Sequence, residues 1–341
     1  MSVSTSFRFS IEAVVWTIYA LQFRIGCQSF RVASMDPLSD VLELLKLRGY
    51  VSGGFDAGGA WAVEFGRHDG IKFHAVITGE CWLSVEGVSE PLRVGAGECF
   101  LLAKGRPFRI ASDLSVKPVD FTSLIPAAQE GRVLTHNGGG EYFSIGGYFV
   151  LDAGPAALLL DQLPPVIHIC EEPARSTLRW CVERMQRELI DPQPGAAAVV
   201  RQLAAMVLVE ALRSQPRREG RGGVGWLFAL ADKQIRAAME AMHEAPGHRW
   251  TLQELAHRAA MSRTRFAIEF KKSVGMTPMD YLTRWRMLLA ADRLTRSRDS
   301  IAQIASSFGY ESEKSFGTAF KRVMKHSPRR YGIERTVVSE T

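Results

Sequence analysis

A chain of 341 residues, 46% hydrophobic and 23% charged, has the length for about two globular domains and a composition that excludes a disordered or fibrous protein. Its net charge of +6 is unevenly divided: residues 226–341 carry 20 Lys+Arg against 12 Asp+Glu, whereas residues 35–215 carry 16 against 22. A polyanionic partner therefore suits the C-terminal third alone. The five cysteines, Cys27, Cys81, Cys99, Cys170 and Cys181, lack CxxC or zinc spacing and read as reduced thiols of a cytoplasmic protein.

The apolar run from Ile11 to Phe23 contains Glu12 and is too short to cross a bilayer, so no membrane partner is expected. No clean cleavage site follows it, and residues 1–34 are read as an extension, disordered or not native to the fold. Asp36-Pro37 opens a helix with Leu38, Val41, Leu42, Leu44 and Leu45 at helical spacing, which Gly49 is expected to stop. From Trp61 to about Leu151 short alternating runs, such as Trp61-Ala-Val63-Glu-Phe65 and Cys81-Trp-Leu83-Ser-Val85, are punctuated by glycines. That texture predicts an antiparallel barrel or sandwich.

Helical periodicity returns at Arg175, with Leu178, Val182, Met185 and Leu189 on one face. It is broken at Asp191-Pro192 and resumes to about Arg213 with Val199, Leu203, Met206, Val207, Glu210 and Leu212. These two helices are expected to couple or dimerise copies of the chain, or to cap their own barrel. Residues 214–225 are Gly-rich and basic, a flexible linker by composition.

The remainder repeats itself once at an offset of fifty residues. Ser262/Ser312, Phe266/Phe316, Phe270/Phe320, Lys271/Lys321, Thr277/Ser327, Pro278/Pro328 and Tyr281/Tyr331 all match. Thr251 caps a helix with Leu252, Leu255, Ala256 and Ala259 inward, and Ser262 caps the next, with Phe266, Phe270 and Val274 inward. The outward residues Ser262, Arg263, Thr264, Ala267, Ile268 and Lys271 are the expected DNA contacts of the first unit. Ser312, Glu313, Lys314, Gly317, Thr318 and Lys321 are those of the second, since the start of such a helix reaches base edges in the major groove. Lys314, Lys321 and Arg322 suit phosphates. A connecting helix from Asp280 to Leu294 would span about 22 Å, against the roughly 34 Å between successive grooves.

Residues 232–333 resemble the AraC/XylS family of transcription regulators. The resemblance rests on Leu255-Ala256, Met261-Ser262, Phe270-Lys271, Gly275-Met276-Thr277-Pro278, Tyr281, Arg284, Arg286-Met287, Ala290, Ile304-Ala305, Gly309-Tyr310, Phe316, Phe320-Lys321 and Ser327-Pro328. Ile268 and Thr318 stand where relatives commonly carry arginine. The glycine-punctuated part resembles the cupin-like sensor fused to many such regulators, through His74-Ala75-Val76, Gly79-Glu80, Val94-Gly95-Ala96-Gly97-Glu98, Gly105-Arg106-Pro107-Phe108 and Leu163–His168. A catalytic cupin binds metal through His-x-His, Glu and a distant His. Here Val76 and Phe108 replace two of the histidines, and Glu80 is read as a turn residue, so no metal and no cofactor are expected.

The fold class expected is α+β multidomain: a cupin-like antiparallel β-barrel with helices, then an all-α tandem helix-turn-helix domain. The expected boundaries are 35–170 for the sensor, 171–213 for the coupling helices and 226–335 for the DNA-binding domain, with units at about 251–272 and 299–322. The expected function is a sequence-specific regulator, not an enzyme. Its partners are double-stranded DNA, RNA polymerase, a second copy of the chain and a small-molecule effector near Trp61, Phe73, His74 and Trp82. The alternatives are a metalloenzyme in the N-terminal half, or a helical module that binds protein.

Overall fold

The computed structural model describes residues 36–45, 48–124, 133–150, 163–214 and 224–332. The expected extension 1–34, nearly all of the expected linker, and the last residues of the expected DNA-binding domain lie outside the described residues.

Helix α1 (Pro37–Leu45) buries Leu38 and Val41. Eleven strands follow among the described residues: β1 (Arg48–Ala57), β2 (Ala62–Phe65), β3 (Ile71–Thr78), β4 (Glu80–Val85), β5 (Leu92–Gly95), β6 (Cys99–Leu102), β7 (Phe108–Ala111), β8 (Val119–Asp120), β9 (Val133–His136), β10 (Tyr142–Val150) and β11 (Val166–Ile169). They form a six-stranded sheet, β11-β6-β3-β10-β1-β9, and a five-stranded sheet, β5-β4-β7-β2-β8. Pairing is antiparallel except at the β1–β9 and β2–β8 edges, which are parallel.

Alternation along the strands builds two cores. Val76, Phe100, Leu102 and Tyr142 of the larger sheet meet Val63, Phe65, Leu83, Phe108 and Ile110 of the smaller one inside the barrel. Phe73, Ala75, Leu101, Ile145 and Phe149 point the other way, into a second core shared with the helices. The larger sheet is therefore buried on both faces, and β6 is buried at every position.

Gly49 does not stop α1. It lies in β1 opposite Phe149, whose ring would be 3.1 Å from a β-carbon there, so glycine lets the strand pass beneath the ring. The sequence reading missed β1 because Gly53 and Gly54 look like a turn. They continue the strand instead, paired with Gly146 and Ile145 just after a bulge at which the register slips between Val51 and Gly53, with Gly53 at φ 144°.

Helices α2 (Ala174–Ile190) and α3 (Ala196–Ser214) pack over the larger sheet. α2 buries Leu178, Val182 and Met185 as expected. α3 buries Leu203, Val207 and Leu212 of the expected face together with Val200, Ala204, Leu208 and Ala211, while Val199 and Met206 are exposed. The helix is apolar nearly all round, so periodicity does not choose the face. Small Ala204 does, by fitting 3.4 Å from the position of a β-carbon on Gly49.

The last third is helical: α4 (Trp226–Ala229), α5 (Lys233–Glu244), α6 (Leu252–Arg258), α7 (Arg263–Val274), α8 (Pro278–Arg296), α9 (Ile301–Ser307) and α10 (Glu313–Met324). α8 starts earlier and ends later than expected, because Thr277 caps it with Pro278 at the first helical position. Its 19 residues span about 28 Å, which brings the two units closer to groove spacing. No helix among the described residues is long and apolar enough to cross a membrane.

Candidate nucleic-acid interface and barrel cavity

Each of the two units starts with the same device. At α6 the Glu254 amide donates to Thr251 Oγ1 at 3.2 Å, and the Thr251 amide donates to Glu254 Oε2 at 2.7 Å. Ser300 and Gln303 repeat this reciprocal box at α9, at 3.2 and 2.8 Å. The second helix of each pair is then capped by serine: Ser262 Oγ accepts from the Arg265 amide, and Ser312 Oγ from the Ser315 amide. The turn of the second unit is one residue longer and uses Gly309 at φ 79°, whereas Ala260 takes the left-handed conformation at φ 50° in the first.

The exposure of residues 262–280 and 312–330 is the same position by position. Phe266, Phe270 and Val274 are buried in one copy, and Phe316, Phe320 and Met324 in the other. Of the expected DNA contacts, Ser262, Arg263, Thr264, Ile268, Lys271, Ser312, Glu313, Lys314, Thr318 and Lys321 are exposed, and Ala267 and Gly317 are half-buried. α7 and α10 thus present equivalent outward faces, each carrying cations over a buried aromatic pair.

What holds the two faces apart was not legible in the repeat. Arg286 of α8 donates from Nε to Pro246 O at 2.6 Å and from Nη2 to His248 O at 2.7 Å, and its guanidinium lies 5.9 Å from the Tyr310 ring. It therefore touches the loop before the first unit and the turn of the second at once. Arg293 donates to Asp299 Oδ2 at 2.6 Å and to Ser307 Oγ at 2.8 Å, pinning the far end of α8 to α9. Gly309 lies against Gly247, where a β-carbon would come within 2.6 Å of the carbonyl oxygen.

A buried relay joins α1 to this region. The His243 ring nitrogens lie 2.8 Å from Asp40 Oδ2 and 2.7 Å from Tyr281 Oη, and the ring stacks on Trp285 at 3.9 Å. Burial, reinforced by the Asp40 charge, holds the Tyr281 phenol well above its ordinary range.

The barrel holds a cavity of about 90 Å³, with Gly53, Phe55, Phe65, Lys72, His74 and Gly146 in its wall. Of the four expected pocket residues it brings only His74 there. Phe73, its neighbour in β3, points into the opposite core, and Trp82 is on the outer face of β4. Trp61 is packed in the barrel interior 4.6 Å from Tyr142, away from the cavity wall. The sequence reading missed the glycines of the wall and Lys72. Lys72 Nζ sits 5.1 and 5.5 Å from the Phe65 and Phe108 ring centres, and burial lowers its pKa.

His74 stacks on Phe100 at 5.1 Å, and its Nδ1 is buried with no hydrogen-bond partner. Burial, with the Lys72 and His68 charges, pushes its pKa down to about 3. Phe108 lies beside it at 5.6 Å, where a second donor would be needed for a metal. Glu80 opens β4, exposed and paired with Arg93. Among the described residues no group of three or more His, Cys, Asp and Glu side chains is placed to hold a metal ion.

Comparison with known proteins agrees with this architecture. A family model described as cupin matches residues 36–215, and one described as a helix-turn-helix domain matches residues 255–332. An AraC-like transcription regulator of Streptomyces lividans is 39% identical over 87% of this chain and 98% of its own length. Another, of Streptomyces antibioticus, is 40% identical over the same shares. A helix-turn-helix transcriptional regulator of Haemophilus influenzae is 29% identical over 87% of this chain and 98% of its own length. The chain belongs to the AraC-like transcription regulators, DNA-binding proteins that here join a cupin domain to a tandem helix-turn-helix region.

Proposed function

We propose that α7 and α10 enter successive major grooves on one face of a duplex, and that a small-molecule effector at the cupin domain controls this binding. The observation that carries the reading is the matched exposure of residues 262–280 and 312–330, since two equivalent faces suit a ligand that repeats. Ser262, Arg263, Thr264, Ala267, Ile268 and Lys271 form one reading surface, and Ser312, Glu313, Lys314, Gly317, Thr318 and Lys321 the other. The pairing of Arg263 with Glu313 at equivalent positions supports unequal readout, base contacts weighted to the first unit and phosphate contacts to the second.

Lys72 and His74 support the barrel cavity as the effector site. An effector there would shift the DNA-competent population only by its differential affinity for the two states. The exposed Trp180, Ile190 and Met206 on α2 and α3 support a homodimer through these helices. The domain boundaries at 170, 213 and 225, a cytoplasmic location, RNA polymerase as a further partner and the lack of a metal-dependent activity belong to the same reading. The last is supported by the donor set, in which Val76 and Phe108 occupy ligand positions.

Footprinting on genomic sites selected by the purified chain tests it. Protection of two segments about one helical turn apart is expected, and Arg263→Ala weakens the selected site by about 1–3 kcal/mol while leaving random DNA nearly unaffected. Protection confined to a single turn would overturn the two-groove reading.

A further inference from the structure

A second cavity, of about 260 Å³, lies outside the barrel between the β5–β6 turn and α2. Its walls include Ala75, Ala96, Gly97, Leu178, Arg179 and Val182. Two guanidinium groups meet at Gly97 on its rim, Arg179 as part of the wall and Arg175 beside it. Arg179 Nη2 and Nε lie 3.1 and 3.2 Å, and Arg175 Nε 3.4 Å, from the point where a β-carbon on Gly97 would sit. Gly97 has φ 80°, a conformation that favours glycine, and its bare Cα leaves the room for both groups.

Arg175 Nη2 donates to Ala96 O at 2.9 Å, but its Nε is buried with no acceptor. A buried guanidinium donor left without an acceptor is costly, and two adjacent cations repel. Their position adds to the cost, because both lie in the first turns of α2, which starts at Ala174 and has no acidic residue in its first turn. Cations are disfavoured at the positive end of a helix dipole.

The carboxylates nearby do not resolve this. Glu98 Oε2 accepts from the Gly95 amide at 3.0 Å and lies 2.9 Å from His168 Nε2. Glu172 Oε2 accepts from the Ser176 amide at 3.1 Å. Glu183 is in the wall, one helical turn beyond Arg179. Among the described residues neither Arg175 nor Arg179 has a carboxylate within ion-pair distance. An anion between the two guanidiniums would satisfy the orphan Nε, relieve the repulsion and meet the helix dipole in its favoured sense.

We propose that this cavity binds a small organic carboxylate, with the head group on Arg175 and Arg179 and an apolar tail against Ala75, Leu178 and Val182. The planar fork of arginine matches a carboxylate. The size, below the roughly 300 Å³ at which drug-sized pockets begin, limits the tail to a short one. The site is separate from the barrel cavity and stands whether or not that cavity takes an effector.

The test is calorimetric titration of the full chain with hexanoate and, separately, with inorganic phosphate. Saturable binding of hexanoate is expected, weakened roughly tenfold or more by Arg179→Gln and by Arg175→Gln, with phosphate giving little or no heat. Arg179→Gln removes a cation from the start of α2 and breaks no hydrogen bond or ion pair among the described residues, so unliganded it is expected to melt no lower than the parent, which separates lost binding from misfolding. The proposal is overturned if hexanoate does not saturate, if it binds both arginine variants unchanged, or if phosphate binds as well as hexanoate. Loss of binding in His74→Leu but not in the arginine variants would place the ligand in the barrel and overturn it too.

Discussion

Replacing Arg286 by alanine is expected to loosen the spacing of the two reading helices. Its bonds to Pro246 O and His248 O, at 2.6 and 2.7 Å, are charge-assisted, a type that contributes about 1.5–3 kcal/mol each. The bond to His248 O is exposed to solvent, so its share is at or below the low end, and the pair together amounts to about 2–4 kcal/mol. Burial lowers the Arg286 pKa, yet an arginine remains charged at any working pH. Urea unfolding of Arg286→Ala should show that loss, and Arg286→Lys about half of it, because one ammonium does not fork to two carbonyls. Anisotropy on the footprinted site should show the variant losing affinity at native half-site spacing. Inserting two base pairs between the half-sites should then cost it less than it costs the parent. An unchanged urea midpoint with unchanged affinity would refute the idea that this side chain sets the spacing.

Two further outcomes follow from buried imidazoles. The His74 pKa of about 3 in the fold, against an ordinary value of 6.5, means that the unfolded chain takes up a proton the folded one refuses. Stability is therefore complete above about pH 6.5 and falls as pH drops from there towards 3, by about 2 kcal/mol at pH 5. His74→Leu should lose that pH dependence, and a wild-type His74 proton resonance that titrates near pH 6.5 would contradict it. Asp40→Ala removes the partner of a buried His243 nitrogen and should cost about 1–3 kcal/mol. In His243→Leu the same change should cost far less, and additive losses in that double-mutant cycle would count against a direct bond.

The barrel was legible as a class but not as a site. Alternating runs between glycines foretold strands, yet Gly53 and Gly54 concealed β1, since a glycine pair reads as a turn even where it continues a strand after a bulge. The pocket was sought among large aromatic residues, whereas its wall is partly made by residues with no side chain, Gly53, Gly54, Gly146 and Gly147. Phe73 and His74 are neighbours in β3, so they point to opposite faces, and one cavity could not have claimed both. The inward Cys81 and Leu83 likewise place Trp82 outside.

The helical third shows the opposite limit. An offset of fifty residues reveals what the two recognition helices share: their serine caps, the aromatic pairs and the outward positions. It is blind to whatever occurs once. Arg286 and Arg293 lie in α8 between the recognition helices, and Gly309, the counterpart of Ala260, stands one residue off the fifty-residue register, so none is marked by the repeat. These unrepeated residues nevertheless decide whether two equivalent faces become one reader. Two helices of similar surface on a loose tether would bind each half-site almost independently, whereas α8 tied to loop 246–248 near its middle and to α9 near its end holds them at a fixed distance. Recognition is thus written in what the chain repeats, and the register of recognition in what it does not.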